Sequence, residues 1–219
     1  MRQALSSQDL PEHIISILKN RDITTSAHKI NEIKNISSSI DIPLYYSMSS
    51  VIKRLDSYNT DDTLTPEMMI DIMILWSMRP VEVATLRVRD MEDGTKAVIG
   101  YAKSKKQDTT PRKIMTFIDI DRAIKLLTWL HDSVEVNPKL NAGDPIVSTQ
   151  LRKILKPHHL KLKDLRVLGS YYSANANVID KSNTNAAEIT ANTRTALRHS
   201  ETLPRSSVEY YQKIRTSVA

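Results

Sequence analysis

Apolar residues recur at helical spacing along most of the chain, and the spacing changes to strand-like alternation in one central stretch. The patterns LPEHIISILKN (10–20) and SAHKINEIKNI (26–36) predict two short helices, and PLYYSMSSVIKRL (43–55) a third. Thr65 then precedes PEMMIDIMILWSM (66–78), one of the most apolar runs of the chain. Threonine suits an N-cap and Pro66 the first helical position. After a further helical turn at VEVATL (81–86) the period falls to two. RVRDME (87–92), KAVIGYA (96–102) and RKIMTFI (112–118) read as three strands of a small meander, with Asp93-Gly94 as a hairpin signal. Helical spacing returns in DRAIKLLTWLHDS (121–133), STQLRKIL (148–155), LKDLRVLGSYYSA (162–174) and SSVEYYQKI (206–214). The fold class expected is therefore mixed α/β, mainly α-helical with a small three-stranded antiparallel sheet.

The polar stretch ISSSIDI (36–42) marks a boundary. It divides a short N-terminal helical arm, residues 1–40, from a main domain at 41–219. The whole chain has 219 residues, 40% hydrophobic and 26% charged, a globular composition. The best apolar run near the start, HIISIL, is too short for a signal peptide or a membrane span, so an intracellular protein without a membrane is expected.

Charge adds a direction. Residues 150–219 hold 12 Lys and Arg against 5 Asp and Glu, an excess of 7, whereas the chain as a whole carries +6. The surplus sits entirely in the last third, where a polyanion is the natural partner. Candidate chemistries then fall away. Without cysteine there is neither a disulfide framework nor a thiolate metal site. Four glycines, at 94, 100, 143 and 169, cannot write a P-loop or a dinucleotide fingerprint. The six histidines show no HExxH spacing, and no GxSxG elbow exists. No cofactor and no metal are expected.

One segment asks for an explanation. SMRPVEVATLRVRD (77–90) places Arg79 directly behind the apolar run, with Glu82 three residues on. A guanidinium beside a buried segment needs an anion, so either Glu82 is its partner or a ligand is.

This segment resembles the first box of the tyrosine recombinase (integrase) family, G-L-R-x-x-E-L-x-x-L-x-x-x-D. Arg79, Glu82, Leu86 and Asp90 fall in register, with Ser77 where glycine is usual. YAKSKKQDTTPRKIMTFID (101–119) resembles the family's β-hairpin and its lysine, which Lys103 fits first and Lys105 second. LKLKDLRVLGSYY resembles the second box, His-x-x-Arg, as Lys163-Asp164-Leu165-Arg166. Lysine there is similar to the related type IB topoisomerases. ALRHS resembles the third box, L-G-H, with His199 in place and Arg198 where glycine is usual. SSVEYYQKI resembles the segment carrying the nucleophile, Tyr210 first and Tyr211 second, with Ser206 and Ser207 for the family's threonines. The resemblance covers about residues 43–215.

It implies a tyrosine recombinase catalytic-domain fold and a set of roles. Arg79 and Arg166 would present planar guanidinium forks to the scissile phosphate, with Glu82 bracing the local fold. Tyr210 would attack the phosphorus to give a 3′-phosphotyrosine link, and Lys103 would protonate the leaving 5′-oxygen. His199 would donate to a phosphate oxygen, and Lys163 would assist proton transfer or add charge. The reaction implied is site-specific cleavage and rejoining of double-stranded DNA, by a protein monomeric when free and assembling on DNA as a tetramer. The alternatives are a type IB topoisomerase-like enzyme and a DNA-binding or architectural protein that keeps the fold without the chemistry. Family members carry a separate N-terminal domain that clamps DNA. Here the arm at 1–40 would be its remnant or linker, and the tail after Tyr210 is short.

Overall fold

A computed structural model describes residues 40–100, 110–179, 186–198 and 214–215. Thr65 caps α2 (Pro66–Leu75), its hydroxyl accepting from the Met68 N–H at 3.3 Å. From Met69 to Leu75 no side chain is more than 1% exposed. A helix apolar on every side must be enclosed on every side. The enclosing elements are α1 (Met48–Ser57), α3 (Ile120–Val136), α4 (Pro145–Leu155) and α5 (Leu162–Ala176), all of which contact α2. Met69, Met73 and Trp76 are core filling, and Tyr172 of α5 is also buried, donating its hydroxyl to the Tyr46 carbonyl. The buried acid of α2, Asp71, is held by a bidentate Arg54 fork at 2.7 Å and by the Tyr58 hydroxyl. Such pairing is the condition for burying a carboxylate.

The sheet has strand order β2–β3–β4 and is antiparallel. β2 (Arg87–Asp90) pairs with β3 (Lys96–Ile99), Arg87 opposite Ile99 and Asp90 opposite Lys96. Gly94 takes a φ of +79° in the connecting turn, so the hairpin lies where the Asp-Gly pair predicts it. β4 is shorter than expected, only Arg112–Lys113. Ile114, Met115 and Phe117 leave the ladder and pack inward instead, on the way to the Asp119 cap of α3.

Three further expectations need correction. α2 ends at Leu75 rather than running to Met78. A short parallel pair joins β1 (Ile40–Asp41) to β5 (Ile214–Arg215), so Ile214 is a strand residue and not the end of a helix. α6 (Ala186–Ala196) was not expected at all. The arm at residues 1–39 lies outside the described residues, as do both predicted helices within it.

Gly169 sets how closely α5 approaches α2. A Cβ built there would stand 1.9 Å from the Ile74 carbonyl oxygen, a backbone atom with little room to retreat. Gly169→Ala is therefore expected to destabilise the domain by roughly 2–3 kcal/mol through overpacking, measured by denaturant unfolding. Gly143→Ala, whose nearest neighbour is the Asn141 side chain at 3.1 Å, serves as the milder comparison.

Candidate functional site

The site begins where α2 stops. Trp76 is the cap, Ser77 has a φ of +48°, and two closing bonds run from Ser77 N to Ile74 O (3.0 Å) and from Met78 N to Met73 O (2.9 Å). This is a Schellman turn with serine in the left-handed position, which explains why glycine is the residue usual there. The turn delivers Arg79 at the head of a 3₁₀ segment, Pro80–Ala84, whose Glu82 accepts the Arg79 N–H at 2.8 Å.

Glu82 is completely buried and is the hub. One carboxylate oxygen accepts from Arg79 Nη1 at 2.9 Å. The other accepts from the Arg79 N–H, from Arg166 Nη1 at 3.2 Å and from Arg198 Nη2 at 2.7 Å. Three donors thus crowd one oxygen and at least one more meets the other, all of them suited to an ionised carboxylate, which only accepts. Burial opposes that ionisation, but the guanidinia of Arg198 and Arg166, the Arg79 N–H and the Arg79 charge hold the carboxyl below its ordinary range. Glu82 is thus the partner of Arg79, and of two more arginines besides.

Arg166 reaches the hub from the first turns of α5. Its Nη1 also donates to the Ser77 carbonyl at 2.9 Å, and its Nη2 to the Leu197 carbonyl. Arg198 comes from the residues after α6, which packs on α5. Its Nη1 donates to the Trp76 carbonyl at 2.7 Å and its Nη2 to the Ser77 carbonyl at 2.8 Å. Arg198 has a φ of +55°, again left-handed where glycine is usual, a conformation that costs a side-chain-bearing residue about 1 kcal/mol or more.

Three arginines against one glutamate leave an excess of two positive charges, and a cleft of about 610 Å³ lies beside them. Among the described residues, five cationic side chains line it: Arg79, Arg152, Lys161, Lys163 and Arg166. No acidic residue does. Arg79 keeps 38% of its side chain exposed, whereas Arg166 shows only 5%. Leu162 and Lys163 bring the N-terminal end of α5 to the wall, where the helix dipole adds positive potential. The first turn of α5 is closed by Asp164, which accepts the Lys161 N–H at 2.7 Å; its own carboxyl is pushed up by burial.

Of the residues expected from the sequence, the fold brings Arg79, Lys163 and Arg166 to this one cleft. Lys103, Lys105, His199, Tyr210 and Tyr211 lie outside the described residues. Arg152, Lys161 and the hub role of Arg198 were missed. Arg152 sits in the basic last third in no box, Lys161 lies two residues ahead of the Lys163 position of the second box, and Arg198 stood out only as a departure from glycine. Among the described residues no group of three or more His, Asp or Glu could hold a metal ion, and no helix is long and apolar enough to cross a membrane.

No family model matches the chain, and no curated protein does. Solved structures do. Protelomerase TelK complexed with substrate DNA superposes with a TM-score of 0.65 at 14% identity over 91% of this chain. Protelomerase TelA covalently complexed with substrate DNA superposes with a TM-score of 0.59 at 16% identity over 90%. The chain spans 42% of the first and 66% of the second. The fold, mainly helical with a small antiparallel sheet, is therefore shared with these two protelomerases.

Proposed function

We propose that the protein cleaves and rejoins double-stranded DNA through a 3′-phosphotyrosine intermediate, as a site-specific recombinase or integrase acting inside the cell. One observation carries the reading: among the described residues the cleft is walled by five cations and no acid, with two of its arginines held from behind by a buried carboxylate. Positive charge fixed in advance around a phosphate is what transfer of that phosphate without a bound metal demands. The likeness in fold to two proteins solved with substrate DNA, one of them covalently attached, supports the same chemistry.

In this reading Arg79 and Arg166 bind the non-bridging oxygens of the scissile phosphate, and Arg152, Lys161 and Lys163 add charge along the wall. The Tyr210 oxygen attacks phosphorus, the bond to the 5′-oxygen breaks, and Lys103 delivers a proton to that leaving oxygen. His199 donates to the phosphate. A 5′-hydroxyl then reverses the step, freeing Tyr210 and resealing the strand. Copies of the chain, monomeric when free, assemble as a tetramer on DNA.

The test is incubation with a library of nicked duplexes of randomised sequence, followed by denaturing electrophoresis for a protein–DNA adduct. Failure to trap any adduct from the library would reject the enzyme and leave a DNA-binding protein of the same fold.

Arg79→Lys and Arg166→Lys each keep the charge and lose the fork. Adduct formation is expected to fall by roughly 10²-fold or more, the scale of losing one preorganised donor, while affinity for DNA at matched salt changes much less. Single-turnover rates and filter binding measure the two separately.

A further inference from the structure

Arg198 is not among the residues lining the cleft, yet it bonds the same carboxylate as Arg79 and Arg166, which are. It and Arg166 converge on the same two acceptors, the Ser77 carbonyl and one oxygen of Glu82. Arg166 in turn grips the carbonyl of Leu197, the residue preceding Arg198. The two side chains therefore interlock, each holding backbone or carboxylate that the other depends on. Arg198 is 5% exposed, 116 positions from Glu82 in sequence, and set in a left-handed conformation that a β-carbon disfavours. A chain that accepts this conformation at an arginine, with both terminal nitrogens of the guanidinium donating to interior acceptors, is holding something in place.

We propose that Arg198 is a positioning residue: it pins Glu82 and the turn after α2 so that Arg79 and Arg166 face the cleft in a fixed orientation. This rests on the reading of the cleft as a phosphodiester site. Without Arg198, the Glu82 oxygen it occupies is left to Arg166 and the Arg79 N–H. The carboxylate then turns toward these donors and draws both side chains back from the wall. The number of cations on the wall is unchanged, so ground-state attraction for DNA persists while alignment in the transition state is lost.

The experiment follows arginine guanidinium signals by NMR in uniformly 15N-labelled protein, with Arg166 and Arg198 assigned through Arg166→Lys and Arg198→Lys. Interlocked side chains give resolved, slowly rotating Nη–H signals, and in the wild-type protein those of Arg166 and Arg198 should lose their splitting together on warming. In Arg198→Gly, which relieves the left-handed backbone, and in Arg198→Lys, which keeps the charge, the Arg166 signals should average. With DNA, both variants should form adduct about 10- to 100-fold more slowly at saturating duplex, with affinity within about twofold, since small misplacements cost rates of this order. A residue that only stabilises the fold would lower the melting temperature and leave the saturated rate of the folded protein intact. Arg166 signals that stay slow in a folded Arg198 variant, or that outlast those of Arg198 on warming the wild type, overturn the proposal. The NMR arm needs no DNA, so wild-type protein that forms no adduct would reject the phosphodiester reading separately.

Discussion

Tyr210→Phe is expected to abolish the covalent protein–DNA adduct while leaving DNA binding within about twofold of wild type. The substitution removes one oxygen, and that oxygen is the nucleophile of the proposed reaction. Where catalytic groups act as a unit, deleting the nucleophile costs rates on the order of 10⁴-fold to 10⁶-fold, because the remaining groups have nothing to activate. Binding rests on phosphate charge, to which a single phenol contributes little. The phenol is ordinarily protonated below a pH of about 10, so the fixed cations of the cleft must also favour the phenolate as it attacks. Denaturing electrophoresis after incubation with a nicked duplex reads the adduct, and filter binding reads the affinity. Tyr211→Phe is the control and should react normally. An adduct that survives Tyr210→Phe and disappears with Tyr211→Phe would move the nucleophile by one residue. Survival in both would remove tyrosine 210–211 from the chemistry altogether.

The fold was legible wherever burial imposes a period. α2 is fully enclosed from Met69 to Leu75, and its sequence there is apolar but for Asp71. The cap at Thr65, the Asp-Gly hairpin and the helices α3, α4 and α5 likewise carry signals within a few residues of where they act. α6 does not. It buries only Thr193 and Ala196, and its threonines bond back to carbonyls four residues earlier, as Thr190 does to Ala186 and Thr193 to Ile189. A helix with so narrow an apolar face leaves almost no periodicity to read. Within the site, Arg79 and Glu82 were legible because their spacing closes one 3₁₀ turn. The third arginine was not, since Arg198 meets Glu82 only after the chain has folded α6 against α5. Its one local trace was a bulky residue in a glycine position. Ser77 left the same trace, and both turn out to be left-handed caps facing a common acceptor, the Ser77 carbonyl being shared by Arg166 and Arg198.

Glu82→Ala should be among the most damaging single changes in the chain. It removes the buried acceptor of three guanidinia, two of which, Arg166 and Arg198, are themselves almost wholly buried. Breaking a buried ion pair at one partner costs about 3–5 kcal/mol, and here the residual charges also repel one another. The Arg79 N–H loses its acceptor as well, a loss comparable to that of a helix cap, about 1 kcal/mol. Domains of this size have only about 5–15 kcal/mol in total, so the variant should be marginally folded. Glu82→Gln keeps the shape but turns one oxygen into a donor facing donors, and should fall between Ala and wild type. The two variants also test the charge through pH. Glu82 is held below its ordinary range in the folded protein, so its contribution is complete above the unfolded value of about 4.3 and is lost as pH falls through the folded value. Denaturant melts of wild type and Glu82→Gln from pH 7 downward should therefore differ most at neutral pH and converge in acid. A constant difference across that range would mean that the carboxylate's shape, rather than its charge, binds the three arginines together.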